Sequence, residues 1–389
     1  MTLPSRIKLA MQKILTTFIL GTFLSSFSVE GATKEASPFR YWPYNAEGCH
    51  NTQDQFLIKS SHTSRFSKTT VSGKPCHIKT GKWIDIFSGE EITEAKNVLV
   101  VPIIPLKYIQ KMQPKFSFKK IHQYVHDQDI LIIIKKSSKS FQRYEENWQG
   151  PIRLPSSALL RCQFAGTWLE AKTKWSLSFS DSERNLLSGM VKTCMQDAYY
   201  QRAPVFGEFS RIPDKKCDTR IEVLKRDSSV PTRTSMSNRN KCTADLRGKW
   251  KDPYTNNVYT RAQSLDIDHI VPLKHVYMNG GWKWPWWKKK SYVNFQKNPF
   301  HLLAVDLSEN RSKGEQPPQE YMPPNKRYHC NYLRSWIQIK FRWALYMDNE
   351  EKEFIKKKIG SCKDLNTELY SKIMDSLSSL TSENYKFIQ

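Results

Sequence analysis

Three short segments in the C-terminal half hold side chains whose types and order suit hydrolysis. They are Leu265-Asp266-Ile267-Asp268-His269-Ile270-Val271-Pro272-Leu273, His301-Leu302-Leu303-Ala304-Val305-Asp306 and Asn310-Arg311-Ser312-Lys313-Gly314. An imidazole titrating at about 6.5 takes a proton from water at neutral pH, which makes His269 the candidate base. A hard divalent cation prefers oxygen ligands, and the Asp268 carboxylate with the Asn310 amide carbonyl offers two. Activated water, a charge sink at phosphorus and help for the departing oxygen are what phosphodiester hydrolysis demands. Lys274, Arg311 and Lys313 are candidates for contacts to substrate phosphates, and each reads equally well as an ordinary surface cation.

This order of motifs resembles the HNH (His-Me finger, ββα-metal) endonucleases. It is most similar to the subgroup found in small exported bacterial nucleases and to the nuclease half of GmrSD-type restriction enzymes. The resemblance runs from about Cys217 to Cys362 and includes Asp218-Thr219-Arg220, the Arg226-Asp227 pair and Asp252-Pro253-Tyr254-Thr255. It implies an endonuclease acting on DNA or RNA with little sequence preference. His269 would be the base, and Asp268 and Asn310 would hold one divalent metal ion, Mg²⁺ first, with Mn²⁺, Ni²⁺ or Zn²⁺ as the other choices. The middle Asn of the family triad falls here at His301. That residue either braces the segment carrying the base or adds a metal ligand; a hydrogen-bonded core histidine is the structural reading.

Leu265–Val271 reads as a strand, His301–Val305 as a second, and Ser308 as the cap of a short helix starting at Glu309. Asp266 and Asp268 would share a strand face. Adjacent strand residues point to opposite faces, so Asp268 and His269 both line one site only if the chain leaves regular geometry there. The resemblance implies a loop at that place, and Pro272 fits such a break. Leu333–Tyr346 reads as a helix with Trp336 and Trp343 on one face, as core.

The eight cysteines fall into two sets, Cys49, Cys76, Cys162, Cys194 and Cys217, Cys242, Cys330, Cys362, with spacings of 27, 86, 32 and 25, 88, 32. Gly81-Lys82-Trp83 matches Gly248-Lys249-Trp250, Ile104-Pro105-Leu106-Lys107 matches Val271-Pro272-Leu273-Lys274, and Trp168 and Trp175 match Trp336 and Trp343, at offsets of 167 or 168. The expected architecture is therefore α+β, two tandem ββα-metal (HNH-like) domains. These are a degenerate copy at 40–197 and an active copy at 212–364, joined by a linker at 198–211 and followed by a tail at 365–389. At the places of Asp266, Asp268 and His269 the first copy has Leu99, Val101 and Pro102, and Asn310 corresponds to about Ser138. Leu99, Val101 and Pro102 neither move a proton nor hold a metal. All eight cysteines are disulfide candidates within their own sets, and four cysteines allow three pairings.

Sixty-one Lys plus Arg against 37 Asp plus Glu give a formal charge of +24, which points to a polyanionic partner, nucleic acid first. The 39% hydrophobic content excludes wholesale disorder, and the absence of a CxxC pair argues against structural zinc. Residues 1–32 read as a cleaved signal peptide: Arg6, Lys8 and Lys13 precede the uncharged, mostly apolar Ile14–Phe27, and Gly31-Ala32 follows. A secreted or periplasmic protein with no membrane span in its mature form is expected. Trp282-Lys283-Trp284-Pro285-Trp286-Trp287-Lys288-Lys289-Lys290 suits base stacking, a membrane interface, or simple packing on the domain. A non-catalytic polyanion-binding envelope protein, with a decayed second copy, is the other functional class.

Overall fold

The computed structural model describes residues 51–62, 67–71, 74–136, 138–147, 150–196, 200–211, 215–234, 242, 245–362, 371–372 and 374–375. The signal segment, Cys49, the side chains of Cys76 and Ser138, and most of the tail lie outside them.

In chain order, α1 (Thr52–Ser60) precedes an antiparallel sheet of β1 (Ser67–Val71), β2 (Lys74–Ile84) and β3 (Glu91–Glu94). Next come β4 (Val98–Pro102), α2 (Leu106–Met112), α3 (Phe118–Val125), β5 (Leu131–Lys135) and α4 (Ser138–Glu146), then α5 (Ala158–Lys174) and α6 (Asp181–Cys194). A short α7 (Arg202–Phe206) leads to α8 (Thr219–Asp227) and a second three-stranded sheet of β6 (Arg233–Thr234), β7 (Leu246–Lys251) and β8 (Val258–Arg261). The chain ends with β9 (Leu265–His269), α9 (Leu273–Met278), α10 (Trp286–Val293), β10 (Leu302–Asp306), α11 (Leu307–Lys313), α12 (His329–Arg342) and α13 (Asn349–Ile359). Helices and small antiparallel sheets alternate in an α+β arrangement. Among the described residues no helix is long and apolar enough to cross a membrane.

The same contacts recur about 168 residues apart. Trp83 Nε1 donates to the Leu57 carbonyl and Trp250 Nε1 to the Leu224 carbonyl, both at 2.8 Å. On α5, Trp168 and Lys172 hold the buried carboxylate of Glu183; on α12, Trp336 and Lys340 hold Glu351. Cys162 is bonded to Cys194 and Cys330 to Cys362, each tying one of those helices to the next, and Cys217 is bonded to Cys242. Ser176 and Ala344 take the same left-handed turn after their helices, at φ 51° and 49°. β4 pairs antiparallel with β5 and β9 with β10, each ladder five residues long.

Two expectations change at the seam between the halves. The composition of 198–211 suggests a linker, yet Val205 and Phe206 on α7 are buried in the core that also holds Tyr292 and Trp336. The Trp-Lys block is not a free stacking surface. Trp282, Trp284 and Trp287 are buried, Lys59 sits 3.3 Å above the Trp287 ring, and His62 stacks on Trp286 at 4.1 Å. These tryptophans pack because the facing surface of the first half is itself apolar. Gly166 on α5 meets the Lys283 backbone there, and a Cβ would collide with it.

That contact predicts an inverted glycine effect. Gly→Ala inside a helix ordinarily stabilises by about 0.4–1 kcal/mol. Gly189→Ala, on α6 with nothing within 4 Å of the new methyl, should follow this rule and raise Tm. Gly166→Ala should lower Tm, and thermal unfolding of the two variants side by side checks the sign.

A second prediction follows from Glu351. Burial alone would raise its pKa, but Lys340 and His275 beside it outweigh that and hold it at about 2. A depressed carboxylate stabilises the fold above its unfolded pKa, about 4.3, and that contribution drains away as pH falls toward 2. Acid titration of stability should therefore show a loss between about pH 4.3 and 2 that Glu351→Gln flattens, on top of the fixed cost of leaving Lys340 buried and unpaired.

Candidate active site

β9 and β10 pair from Leu302 opposite His269 to Asp306 opposite Leu265. A two-stranded ladder is marginal alone, and α8 secures it. Arg220 donates to the Leu265 carbonyl at 2.7 Å, Arg226 to the Leu302 carbonyl, and the Asp227 carboxylate accepts from the Ala304 N–H at 2.9 Å. The Asp-Thr-Arg and Arg-Asp motifs thus hold the strands that carry Asp266, Asp268 and His269. β10 runs straight into α11, whose cap is Asp306 and not Ser308: the Asp306 carboxylate accepts from the Glu309 N–H at 2.7 Å. The strand ends one residue later than its apolar run suggests, and the helix begins two residues earlier, at Leu307.

From that start α11 travels alongside β9. Asn310 Nδ2 donates to Asp266 Oδ2 at 3.4 Å, and one turn later Lys313 Nζ reaches Asp268 Oδ1 at 2.7 Å and the His269 carbonyl at 3.0 Å. Asp266 and Asp268 share the face toward α11. Asp268 Oδ2 accepts from the Tyr254 hydroxyl at 2.5 Å. Tyr254 is aimed by a turn in which the Asp252 carboxylate accepts from the N–H groups of Tyr254 and Thr255, at 3.1 and 2.9 Å.

His269 projects from the other face. Its ring lies nearly parallel to Phe209 (centroids 5.5 Å apart, 7°) and to Tyr292 (5.8 Å, 13°), and Nε2 meets the Val293 carbonyl at 3.1 Å. A carbonyl only accepts, so Nε2 carries the hydrogen and Nδ1 keeps its lone pair. The expected break before His269 is not found, since both residues belong to β9. The strand ends at a cavity of about 740 Å³, and Asp268, His269 and Asn310 all line it. Reaching one cavity from opposite strand faces is possible because these are the last two strand residues.

Burial sets the electrostatics. It pushes the Asp268 carboxyl up, against Lys313 and Tyr254, which pull it down. It pushes Lys313 down, against Asp268. It holds His269 well below the usual imidazole range, with His301, Arg202 and Lys313 adding to the effect and the bond to Val293 opposing it, so the ring is neutral.

The remaining expected residues divide. His301 is buried, is pushed down to about 3 by that burial, and its Nε2 donates to the Tyr292 carbonyl at 2.9 Å. It does not line the cavity; in place of a ligand it is a brace for the ring that flanks His269. Lys313 corrects an expectation: fully buried and paired with Asp268, it is not a free phosphate contact. Lys274 lines the cavity paired with Glu315 at 2.6 Å. Arg311 lines it exposed to solvent. Sequence reasoning missed Tyr254, whose signal was the Asp252-Pro253-Tyr254-Thr255 turn, and missed Tyr200, Arg202 and Phe209, which were assigned to a linker. In the first half β4 places Leu99, Val101 and Pro102 on the equivalent ladder, with Pro102 opposite Leu131.

Asp268 and Asn310, the oxygen donors that the sequence offers a metal, both line the cavity. Among the described residues no group of three or more His, Cys, Asp and Glu is placed to hold an ion. Two protein ligands suit a small hard cation that keeps most of its waters. Each Asp268 oxygen accepts one hydrogen bond and retains a lone pair for a cation, while the Lys313 ammonium beside it opposes a second positive charge. The free lone pairs of Asp268 and the Asn310 amide carbonyl fit a hydrated ion whose attraction to Asp268 outweighs the repulsion from Lys313.

Residues 218–358 match the family described as GmrSD restriction endonucleases, C-terminal domain. A protein of Arthroderma benhamiae described as an uncharacterized secreted protein is 34% identical over 146 residues, which cover 38% of this chain and 68% of that protein. No solved structure matches. Through this region the chain belongs to the GmrSD C-terminal domain family, which ties it to nuclease function and a nucleic-acid substrate.

The buried pair carries its own prediction. Lys313→Met leaves the Asp268 carboxylate buried without its cation and should cost about 3–5 kcal/mol in urea unfolding. Asp268→Asn combined with Lys313→Met should cost clearly less than the sum of the two single changes. Additive costs would mean the two groups do not meet.

Proposed function

We propose that this chain is an exported, metal-dependent endonuclease of the HNH type, acting on nucleic-acid phosphodiesters with low sequence specificity. The observation that carries the reading is the imidazole of His269. Its Nε2–H is committed to the Val293 carbonyl, its plane is fixed between Phe209 and Tyr292, and it lines the same cavity as Asp268 and Asn310. The family match, the +24 charge and the order β9–β10–α11 support it.

In this reading Nδ1 of His269 accepts a proton from water as the water oxygen bonds to phosphorus and the bond from phosphorus to the 3′ oxygen breaks. Asp268 and Asn310 would hold the divalent ion, which supplies charge for the phosphate and the leaving oxygen. Lys313 and Tyr254 orient Asp268, and Asp266 orients the Asn310 amide. Binding through cations to the phosphate backbone predicts strong salt dependence.

The recurring contacts support two copies of one domain, the first stripped of its chemistry at Leu99, Val101 and Pro102. Export is supported by the charged and apolar N-terminal segment, by disulfides that form in oxidising compartments, and by the description of the Arthroderma benhamiae relative as secreted.

Plasmid nicking tests the proposal. The wild type should nick in Mg²⁺ or Mn²⁺ and stop with EDTA. His269→Ala should lose about 10²–10⁴-fold in rate, the usual worth of a general base, and Asn310→Ala should be severely impaired at limiting metal. Full-rate cleavage by His269→Ala, or cleavage indifferent to EDTA, contradicts the mechanism. Binding without cleavage under every metal supports the polyanion-binding class instead.

A further inference from the structure

The family match begins at residue 218, yet the wall of the candidate active site begins earlier in the chain. Tyr200 and Arg202 line the cavity with Asp268, His269 and Asn310, and Phe209 lies against the His269 ring. The segment is firmly seated. Tyr200 packs on Tyr277 at 5.4 Å, and Val205 and Phe206 are buried in the core of the second half. Gly207 turns the chain with φ 72° where a Cβ would press on Trp286.

Arg202 is exposed at the start of α7. Of the four cations lining the cavity, Lys313 is paired with Asp268 and Lys274 with Glu315. Among the described residues Arg202 and Arg311 make no ion pair. Arg202 lines the same cavity as His269. An unpaired guanidinium that lines the same cavity as the candidate base is available to an anion and can meet phosphate oxygens bidentately.

We propose that Arg202 binds the phosphodiester undergoing cleavage, so that the segment before the family domain completes the active site. The inference rests on the nuclease reading. It makes Arg202 a substrate-contacting residue with two functions, holding a phosphate in the ground state and offsetting the extra negative charge that develops at phosphorus as water attacks.

Two measurements test it. The first is binding of a fluorescein-labelled DNA duplex in EDTA, with every protein carrying His269→Ala, across a series of salt concentrations. Losing one phosphate contact should lower the slope of log K against log salt by about 1, so Arg202→Ala should show that drop, while Arg202→Lys should keep the slope. The second is nicking with an intact His269, where Arg202→Ala should lose about 10–100-fold in kcat/KM and Arg202→Lys should recover only part of it, since lysine keeps the charge and loses the fork. If wild-type protein nicks and Arg202→Ala changes neither slope nor kcat/KM, Arg202 has no such role and the nuclease reading stands. If the slope falls but kcat/KM is unchanged, Arg202 touches a flanking phosphate and the assignment to the reacting one is overturned. If the wild type neither binds nor nicks, the function reading fails and takes this inference with it.

Discussion

A carboxylate withdrawn from water must be given charge and hydrogen bonds by the protein, and the Asp268–Lys313 pair is where this chain meets that demand. The pair joins the last strand turn of β9 to the last helical turn of α11 and reaches back to the β7–β8 turn through Tyr254. Because Lys313 also holds the His269 carbonyl, the acidic residue and the basic ring are set in register with each other. Removing Lys313 would release the helix end, the strand end and the candidate metal ligand together. This coupling explains why a lysine, ordinarily a surface residue, is fully buried here.

The opposite face of β9 is organised by aromatic stacking. His269 lies between Phe209 and Tyr292, and His301 stands edge-on to Tyr292 while donating to its carbonyl. α10, which supplies Tyr292 and the Val293 carbonyl, begins in the tryptophan block that packs on the first half of the chain. The first half therefore acts on the site from a distance. It fixes the start of the helix whose end orients the candidate base. The first half of the chain thus bears on the geometry of the second.

The parts of the site that depend on residue type and local spacing were legible in the sequence. Asp268, His269 and Asn310 were read as one site and line one cavity, and the cysteine and tryptophan spacings pointed to contacts that recur in the two halves. Hidden were the features made by long-range packing. The helix pattern around Lys313 carries no sign that its ammonium is buried, since only the arrival of Asp268 across the strand makes burial tolerable. Residues 198–211 looked like a linker because polar residues and Pro204 mask the two buried side chains Val205 and Phe206. The Trp-Lys block read as a binding surface because its partner, the apolar face around Gly166 and His62, lies more than a hundred residues upstream. The strand geometry at Asp268 and His269 was misjudged because alternation forbids a shared face but not a shared cavity at a strand end.

The most direct measurement is anomalous diffraction from crystals of the His269→Ala protein grown with Mn²⁺ and a DNA duplex. The account predicts one Mn²⁺ peak contacted by an Asp268 oxygen and the Asn310 carbonyl oxygen, with a phosphate of the DNA as a further ligand and the emptied imidazole site facing that phosphate across one water. A Mn²⁺ peak elsewhere, or DNA seated with its phosphates away from Asp268 and Asn310, would contradict it.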